Sequence, residues 1–402
     1  MALVSLEETR DAILGAVPRL PVEPCAIADA VGLVLAEDVI TAEAVPPFAN
    51  TAMDGYALRA ADTDGASEDA PVRLRVVGEL PAGHAPTAPV GPGEAIRIMT
   101  GAPMPDGADA VMMVERTARD GDDGVLVQAV AKTGDHIRLP GGDLEAGQVV
   151  FTAGTVLGPA HVGVLASVGA HVVPVYRRVR VGVLSTGDEL VEQGALAPGQ
   201  IRDSNRPMLL ALAAAAGAEV IDLGLARDDE DLIVSVLEDA FTRCDAVLTS
   251  GGVSVGDYDF VKAALDRFGQ LEWRQIAIKP AKPLAFGIVQ GVPVFGLPGN
   301  PVSSLVSFEL FARPALRSMM GYTECRRVEV VARAAHAFTR RPDGKVHLDR
   351  VRVRWEGGGY VVVSTGKQES NVLSATAAAN GLALVPDGDG VVEGGSLTVI
   401  LL

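Results

Sequence analysis

Lys279 and Lys282 stand three residues apart in the run Lys279-Pro-Ala-Lys-Pro283, and they are two of only six lysines in the chain. Two ammonium groups on a segment stiffened by flanking prolines suit a compact oxyanion, the alternative being a solvated surface pair. Upstream, Ser250-Gly-Gly-Val-Ser254 follows an apolar run and precedes a helical one. Its backbone N–H groups can face a phosphate near a helix N-terminus, or its glycines can serve a tight turn and no more. Asp257 and Asp259 lie just beyond that loop, while Glu189 and Asp228 close two neighbouring apolar runs. Hard carboxylate oxygens beside a phosphate are how Mg²⁺ is usually held; the competing role, for Asp228 above all, is helix capping.

The elements that must position these residues are legible as a change of period. From Val179 onward, strand-like runs alternate with helical ones: strand 179–184, helix 207–216, strand 219–223, helix 230–242, strand 245–249, helix 258–268, strands within 272–297 and helix 302–319. This alternation predicts an α/β domain on a mostly parallel sheet, with ligands bound outside the carboxyl ends of the strands. The lysine pair, the glycine loop and the carboxylates all fall on those ends. Pro207 suits the first turn of its helix, Gly217 the position after its end, and Asp228 or Asp229 the cap of the next helix. Leu6, Ile13, Leu14 and Val17 predict an amphipathic helix stopped by Pro18 and Pro21. Residues 27–146 read as a β-rich module with runs such as 72–77 and 95–99. Residues 326–402 return to short β runs at 329–331, 347–353, 360–364, 382–385 and 396–400.

The chain has 402 residues, 48% hydrophobic and 21% charged, enough for several cores. Fifty-one acidic against 34 basic residues give a net charge of −17, which argues against a broad surface for nucleic acid or anionic lipid. An anion site must therefore be a local basic pocket. Cys25, Cys244 and Cys325 show no zinc or redox spacing and read as core filler in a reducing, cytoplasmic compartment. Acidic residues near the N-terminus argue against a signal peptide. Residues 151–176 carry no charge, but Gly154, Gly158, Pro159, Gly163 and Pro174 interrupt them, so they read as a buried soluble segment rather than a membrane span. The P-loop, dinucleotide and zincin signatures are missing. Gly252-Val-Ser-Val-Gly256 fits a nucleophile elbow, yet the downstream histidines, His336 and His347, fall in the β-rich tail, outside the α/β domain, so no hydrolase triad is expected.

Six segments in one order carry a resemblance: Pro46-Pro-Phe-Ala-Asn-Thr-Ala-Met-Asp-Gly-Tyr56, Ile98-Met-Thr-Gly-Ala-Pro103, Ser185-Thr-Gly-Asp-Glu-Leu190, Ser250-Gly-Gly-Val-Ser-Val-Gly-Asp257, Ile278-Lys-Pro-Ala-Lys-Pro283 and Gly296-Leu-Pro-Gly-Asn-Pro-Val-Ser303. Together they resemble the molybdopterin molybdenumtransferase family, the bacterial relatives of the gephyrin E domain. The resemblance implies an elongated homodimer of four-domain subunits with a shared active site. Its domains would be 1–26 with 147–177 for dimerisation, 27–146 reaching the other subunit's site, 178–325 binding the pterin nucleotide, and a β-barrel-like 326–402. It implies insertion of molybdate into adenylylated molybdopterin, with release of AMP and with Mg²⁺ as helper.

Carried over by motif, Lys279, Lys282, Ser303, Arg350 and Ser370 would line the molybdate pocket, beside Pro298, Asn300 and Pro301. Ser250, Gly251, Gly252 and Ser254 would bind the nucleotide phosphate. Asp257, Asp259 and Glu189, with Asp228, would manage Mg²⁺. Asp54, Thr100 and Asp143 would come from the 27–146 module, and Lys279 would also act catalytically. Two departures are visible: Ala281 stands where the family usually has glycine, and Trp273-Arg-Gln-Ile leaves Arg274 or Gln275 to replace an upstream lysine. The rival readings are a molybdopterin adenylyltransferase, which the 178–320 region also resembles, and a non-catalytic scaffold. An adenylyltransferase is also the expected partner in the first reading.

Overall fold

Helix α1 (Leu6–Ala16) begins where Ser5 accepts a hydrogen bond from the Glu8 N–H at 3.1 Å, an N-cap. The computed structural model describes residues 3–251, 260–269 and 271–402. Residues 1–23, 32–36 and 174–402 form one compact unit, and residues 24–31 with 37–173 form another.

The first unit carries the alternation that the sequence predicts. In order come β1 (Arg180–Thr186), α2 (Asn205–Ala215), β2 (Glu219–Ala226), α3 (Glu230–Arg243), β3 (Ala246–Ser250), α4 (Phe260–Asp266), β4 (Leu271–Gln275), β5 (Ile278–Lys279), β6 (Pro283–Val289), β7 (Val292–Leu297), α5 (Pro301–Ser307) and α6 (Arg313–Met319). The sheet order is β2-β1-β3-β7-β6-β4. Its first four strands are parallel, whereas β6 and β4 add an antiparallel edge. Both faces are covered. Val181, Val183, Leu248 and Phe295 pack with Leu209 of α2 and Val306 of α5, and Leu184, Val247 and Val294 pack with Ile233 and Leu237 of α3. Gly217 follows α2 at φ 99°, as expected of a C′ glycine, and Asp229, not Asp228, caps α3 by accepting from Leu232 N–H at 3.0 Å.

The tail of the same unit is a closed barrel. Strands β8 (Glu329–Ala334), β9 (Val346–Glu356), β10 (Gly359–Ser364), β11 (Gly381–Val385) and β12 (Ser396–Leu401) run in the order β9-β10-β8-β12-β11, and β11 pairs back with β9. Closure removes the exposed sheet edges. Strand β5 joins β9 in parallel, Ile278 opposite Val346 and Lys279 opposite His347. Leu348, Leu382 and Ile400 of the barrel belong to the same buried cluster as the sheet.

In the second unit a six-stranded sheet runs in the order 110–113, 55–58, 94–98, 72–80, 124–127, 117–120, over a core that includes Tyr56, Leu58, Leu74 and Val125. The reading of 151–176 as buried is overturned. Only Leu157, Leu165, Val173 and Val175 of that stretch are buried, and its helix is the nine-residue Pro159–Ser167. Small residues and glycines, rather than core burial, account for its lack of charge. Among the described residues no helix is long and apolar enough to cross a membrane. Cys244 is buried, Cys25 and Cys325 are half-buried, and none of the three is in a disulfide.

The start of β1 is clamped by Asp245. Its carboxylate accepts from Arg177 Nη2 at 2.7 Å, from Arg180 N–H at 2.8 Å and from Arg180 Nη2 at 3.1 Å, with 10% of its side chain exposed. Burial opposes its ionisation, but the hydrogen bonds from Arg177 and Arg180 outweigh it and hold the carboxyl below its usual range. Asp245→Ala is expected to cost about 2–3 kcal/mol in urea denaturation, because it takes the shared carboxylate from the Arg180 N–H and guanidinium and leaves Arg177 only Glu23 at 3.7 Å and the Arg178 carbonyl at 3.1 Å. A carboxyl with a depressed folded-state pKa stabilises above the unfolded value of about 3.9 and ceases to as pH falls through the folded value, so the wild-type advantage over Asp245→Ala should shrink below about pH 4.

The β5–β6 loop holds Ala281 at φ 71° with its methyl group buried. An L-residue there is strained, and glycine is not. Loss of methyl burial offsets relief of strain, so Ala281→Gly should change stability by less than about 1 kcal/mol. Ala281→Val should cost about 2 kcal/mol or more, since a β-branched side chain tolerates this φ least. Thermal unfolding of the two variants reads the difference.

Candidate functional site

Loops leave the carboxyl ends of β1, β3 and β7 side by side. Gly251 N–H donates to Leu297 O at 3.2 Å. Gly251 sits at φ 99°, and a Cβ there would lie 2.9 Å from the Thr186 carbonyl oxygen, so the close approach of the loops requires glycine. Beneath them Ser250 is buried, its Oγ accepting from Asn205 Nδ2 at 2.7 Å; the same amide donates to Gly299 O at 2.7 Å. Asn205 thus ties the loops after β3 and β7 together. The loops after β1 and β2 are locked in turn: Asp188 N–H donates to Asp228 Oδ2 and Asp228 N–H to Asp188 Oδ1, both at 3.3 Å.

These loops form one wall of a cleft of about 790 Å³, within the first unit. Glu189, Asp228, Gly251, Pro298, Asn300 and Ser303 line it from the sheet, Lys279 and Lys282 from the β5–β6 loop, and Arg350 and Ser370 from the barrel. Both lysines are exposed, and among the described residues neither ammonium has an ion-pair partner. Ser250 lies behind the wall and Pro301 opens α5, Asn300 preceding it as N-cap. Gly252, Ser254, Asp257 and Asp259 lie outside the described residues.

Arg350 is more deeply placed than a pocket-lining cation need be. It is 0% exposed, its Nη2 donates to Glu369 O at 3.1 Å and to Lys367 O at 3.4 Å, and its N–H donates to Gln368 Oε1 at 2.7 Å. Ser370 O accepts from Val302 N–H at 3.1 Å, which fastens that loop to α5. Arg350 therefore clamps the loop that carries Ser370 as well as lining the cleft. Burial lowers its pKa, opposed by Asp349 and Glu369, and among the described residues its buried Nε has no hydrogen-bond partner.

His347 lies in the β-rich tail, as the sequence reading has it, and its pairing opposite Lys279 also brings it into the cleft, where its Nε2 lies 3.2 Å from Asp343 Oδ2. Among the described residues that line the cleft neither Arg274 nor Gln275 appears; Arg274 pairs with Glu272 at 2.6 Å on the edge strand. The further cation at that cleft is Lys345, held by Asp343 at 3.1 Å. Sequence reasoning passed over Asn205, Lys345, Asp349, Gln368 and Glu369. Asn205 beside a helix start reads as an ordinary cap, and the others depend on barrel register.

For a divalent cation, Glu189 and Asp228 supply hard oxygen donors to the cleft. Among the described residues no group of three or more potential ligands assembles a metal centre. The donor chemistry fits Mg²⁺ as an ion shared with a phosphate rather than as a closed protein cage.

Asp54, Thr100 and Asp143 belong to the second unit. Gly55 and Ile98 are cross-strand partners, which puts Asp54 and Thr100 at the same end of their strands. Thr100 N–H and Oγ1 both donate to Asp54 Oδ1 at 2.7 Å, and these bonds lower the Asp54 pKa. Asp143 is exposed on a turn, its N–H donating to Val45 O at 2.9 Å.

Comparison with known proteins adds independent observations. Residues 4–169 match the family model of the MoeA N-terminal region (domain I and II), residues 182–318 that of the probable molybdopterin binding domain, and residues 331–402 that of the MoeA C-terminal region (domain IV). The chain is 42% identical over 371 residues to molybdopterin molybdenumtransferase 2 of Mycobacterium tuberculosis, covering 90% of each chain. It is 37% identical over 402 residues to the molybdopterin molybdenumtransferase of Haemophilus influenzae, covering 99% of this chain and 98% of that one. A crystal structure of the molybdopterin biosynthesis MoeA protein from Pyrococcus horikosii superposes with a TM-score of 0.83 at 34% identity, covering 100% of this chain and 99% of that chain. With matches in register from the first strands to the barrel, the chain belongs to the molybdopterin molybdenumtransferase (MoeA) family.

Proposed function

We propose that this chain transfers molybdenum to molybdopterin in molybdenum cofactor biosynthesis, the activity its relatives are named for, and that its substrates are molybdate and adenylylated molybdopterin, with AMP released. The observation that carries the reading is the convergence of Lys279, Lys282, Ser303, Arg350 and Ser370 on one cleft with Glu189 and Asp228. The lysines and Arg350 offset the repulsion between a tetraoxo dianion and a polyanionic nucleotide, and one cleft holds both in orientation. Two Mo–S bonds form as one Mo–O bond breaks, and the two thiol protons leave with that oxygen as water. Release of AMP is a separate hydrolysis, in which water attacks phosphorus, the phosphoanhydride P–O bond breaks, and AMP and the terminal phosphate of molybdopterin leave with the water's oxygen and protons shared between them. The substrate's own sulfurs attack, so no side-chain nucleophile is required. Mg²⁺, when bound, supplies charge that offsets the phosphates, with Glu189, Asp228, Asp257 and Asp259 the carboxylates that would hold it.

The same proposal takes the chain as a cytoplasmic homodimer with modules 1–26 plus 147–177, 27–146, 178–325 and 326–402. Asp54, Thr100 and Asp143 of one subunit would serve the cleft of the other, and a molybdopterin adenylyltransferase would hand over the substrate. Neither nucleic acid nor membrane is involved.

Purified protein given adenylylated molybdopterin should release AMP and yield active cofactor only when molybdate and Mg²⁺ are both present; tight nucleotide binding without release would instead favour a scaffold. In the same assay Lys282→Ala should raise the molybdate requirement by about tenfold or more while nucleotide binding stays close to normal. Asp54→Ala and Asp259→Ala, inactive separately, should recover partial activity when mixed, and a mixture as inactive as its parents would remove the shared-site dimer.

A further inference from the structure

Asp349 is the odd residue of the cleft. It lies on β9 one position before Arg350, is half-buried, and lines the same space as Lys279 and Lys282. Its neighbours are engaged elsewhere. His347 and Lys345 bond to Asp343, at 3.2 Å and 3.1 Å, and Arg350 donates to the carbonyls of Lys367 and Glu369. Among the described residues the Asp349 carboxyl forms no hydrogen bond and no ion pair. As a carboxylate it would repel any anion that entered; as a carboxylic acid it would be a hydrogen-bond donor aimed into an oxyanion pocket.

We propose that Asp349 binds the tetraoxoanion as a carboxylic acid, donating a hydrogen bond to one of its oxygens, so that anion binding takes up one proton. This deepens the molybdate reading and rests on it. The groups facing Asp349 are Lys279 of β5, His347 and Arg350 of β9, Arg340 of the loop before β9, and Glu369 and Lys282 across the cleft. Burial raises its pKa in spite of the cations His347, Arg350, Arg340 and Lys279, each of which lowers it. A bound dianion adds negative charge and drives the same group further towards its neutral form.

The test is calorimetric titration of the full chain with sodium molybdate, in buffers of different ionisation heat, from about pH 6 to about pH 8.5, where molybdate itself remains a dianion. The wild type should take up close to one proton, its affinity falling by up to about tenfold per pH unit at the alkaline end. Asp349→Asn, which keeps the shape and a donor but cannot ionise, should bind with little proton uptake and a flat profile. His347→Gln should keep the uptake, which assigns the proton to the carboxyl rather than to the neighbouring imidazole. Binding by wild type without proton uptake overturns the proposal, whatever the variants do. Uptake lost in His347→Gln and kept in Asp349→Asn overturns it too. If no protein binds molybdate at any pH, the molybdate pocket itself falls and the proposal with it.

Discussion

A strand of two residues, Ile278 and Lys279, holds the two halves of the cleft together. It leaves the edge of the α/β sheet, pairs in parallel with Val346 and His347 at the start of the barrel, and then runs into the loop that carries Lys282. One element thus sets the lysines, which come from the sheet side, against Arg350 and Ser370, which come from the barrel. The pairing is supported on both sides. Val346 N–H donates to Ala277 O at 2.9 Å, and Leu348, Leu382 and Ile400 are buried in the core that also covers the sheet. Sliding the barrel by one residue along this strand would turn His347 and Asp349 away from their place in the cleft and take Leu348 out of the shared core. Burial of Leu348 in the shared core opposes that slip.

Electrostatics explains why the site needs so much scaffolding. A chain of net charge −17 repels the dianions it would have to collect, so attraction must come from a few cations held close and kept from neutralising one another's neighbours. Lys279 and Lys282 remain without ion-pair partners among the described residues, on a loop fixed by prolines and by the strained Ala281. Arg350 takes the opposite route. It is buried and bonded to backbone carbonyls rather than carboxylates, so its charge stays uncompensated by any salt bridge among the described residues. Mobile surface lysines would be screened by salt; cations at the wall of a cleft are screened less.

The sequence made one kind of information easy to read and another hard. Strand and helix alternation, the glycine after α2 and the loops after β1, β3 and β7 were all visible, because each follows from local period or local φ. So was the lysine pair. Placement that depends on register was not. Nothing in Val346-His-Leu-Asp-Arg350 says which residues face the core and which the cleft until its pairing with β5 is known, so the β-rich tail to which His347 was rightly assigned did not show that it lines the cleft. The reading of 151–176 failed for a related reason: absence of charge is a composition, and because roughly 55–60% of a folded protein's surface is apolar, an uncharged run need not be a buried one. Asn205 was lost because a polar residue at a helix start has an ordinary local role.

The cleft contains carboxyl groups of two kinds. Glu189 and Asp228 stand on the sheet loops, with Asp228 pinned by reciprocal bonds to Asp188, and they suit a shared cation. Asp349 stands among lysine and arginine on the barrel side without a bond from any of them among the described residues. A site that merely attracted anions would gain by replacing Asp349 with a neutral residue. A site that must hold a tetraoxoanion at one defined oxygen gains from a donor there, and a buried acid is a donor only while it keeps its proton. Burial disfavours the charged form of both residues: Arg350, whose ordinary pKa lies far above neutrality, stays a cation and acts on the ligand through a low-dielectric wall, while Asp349 becomes a reluctant anion, so one physical cause leaves a cation and a donor facing one ligand.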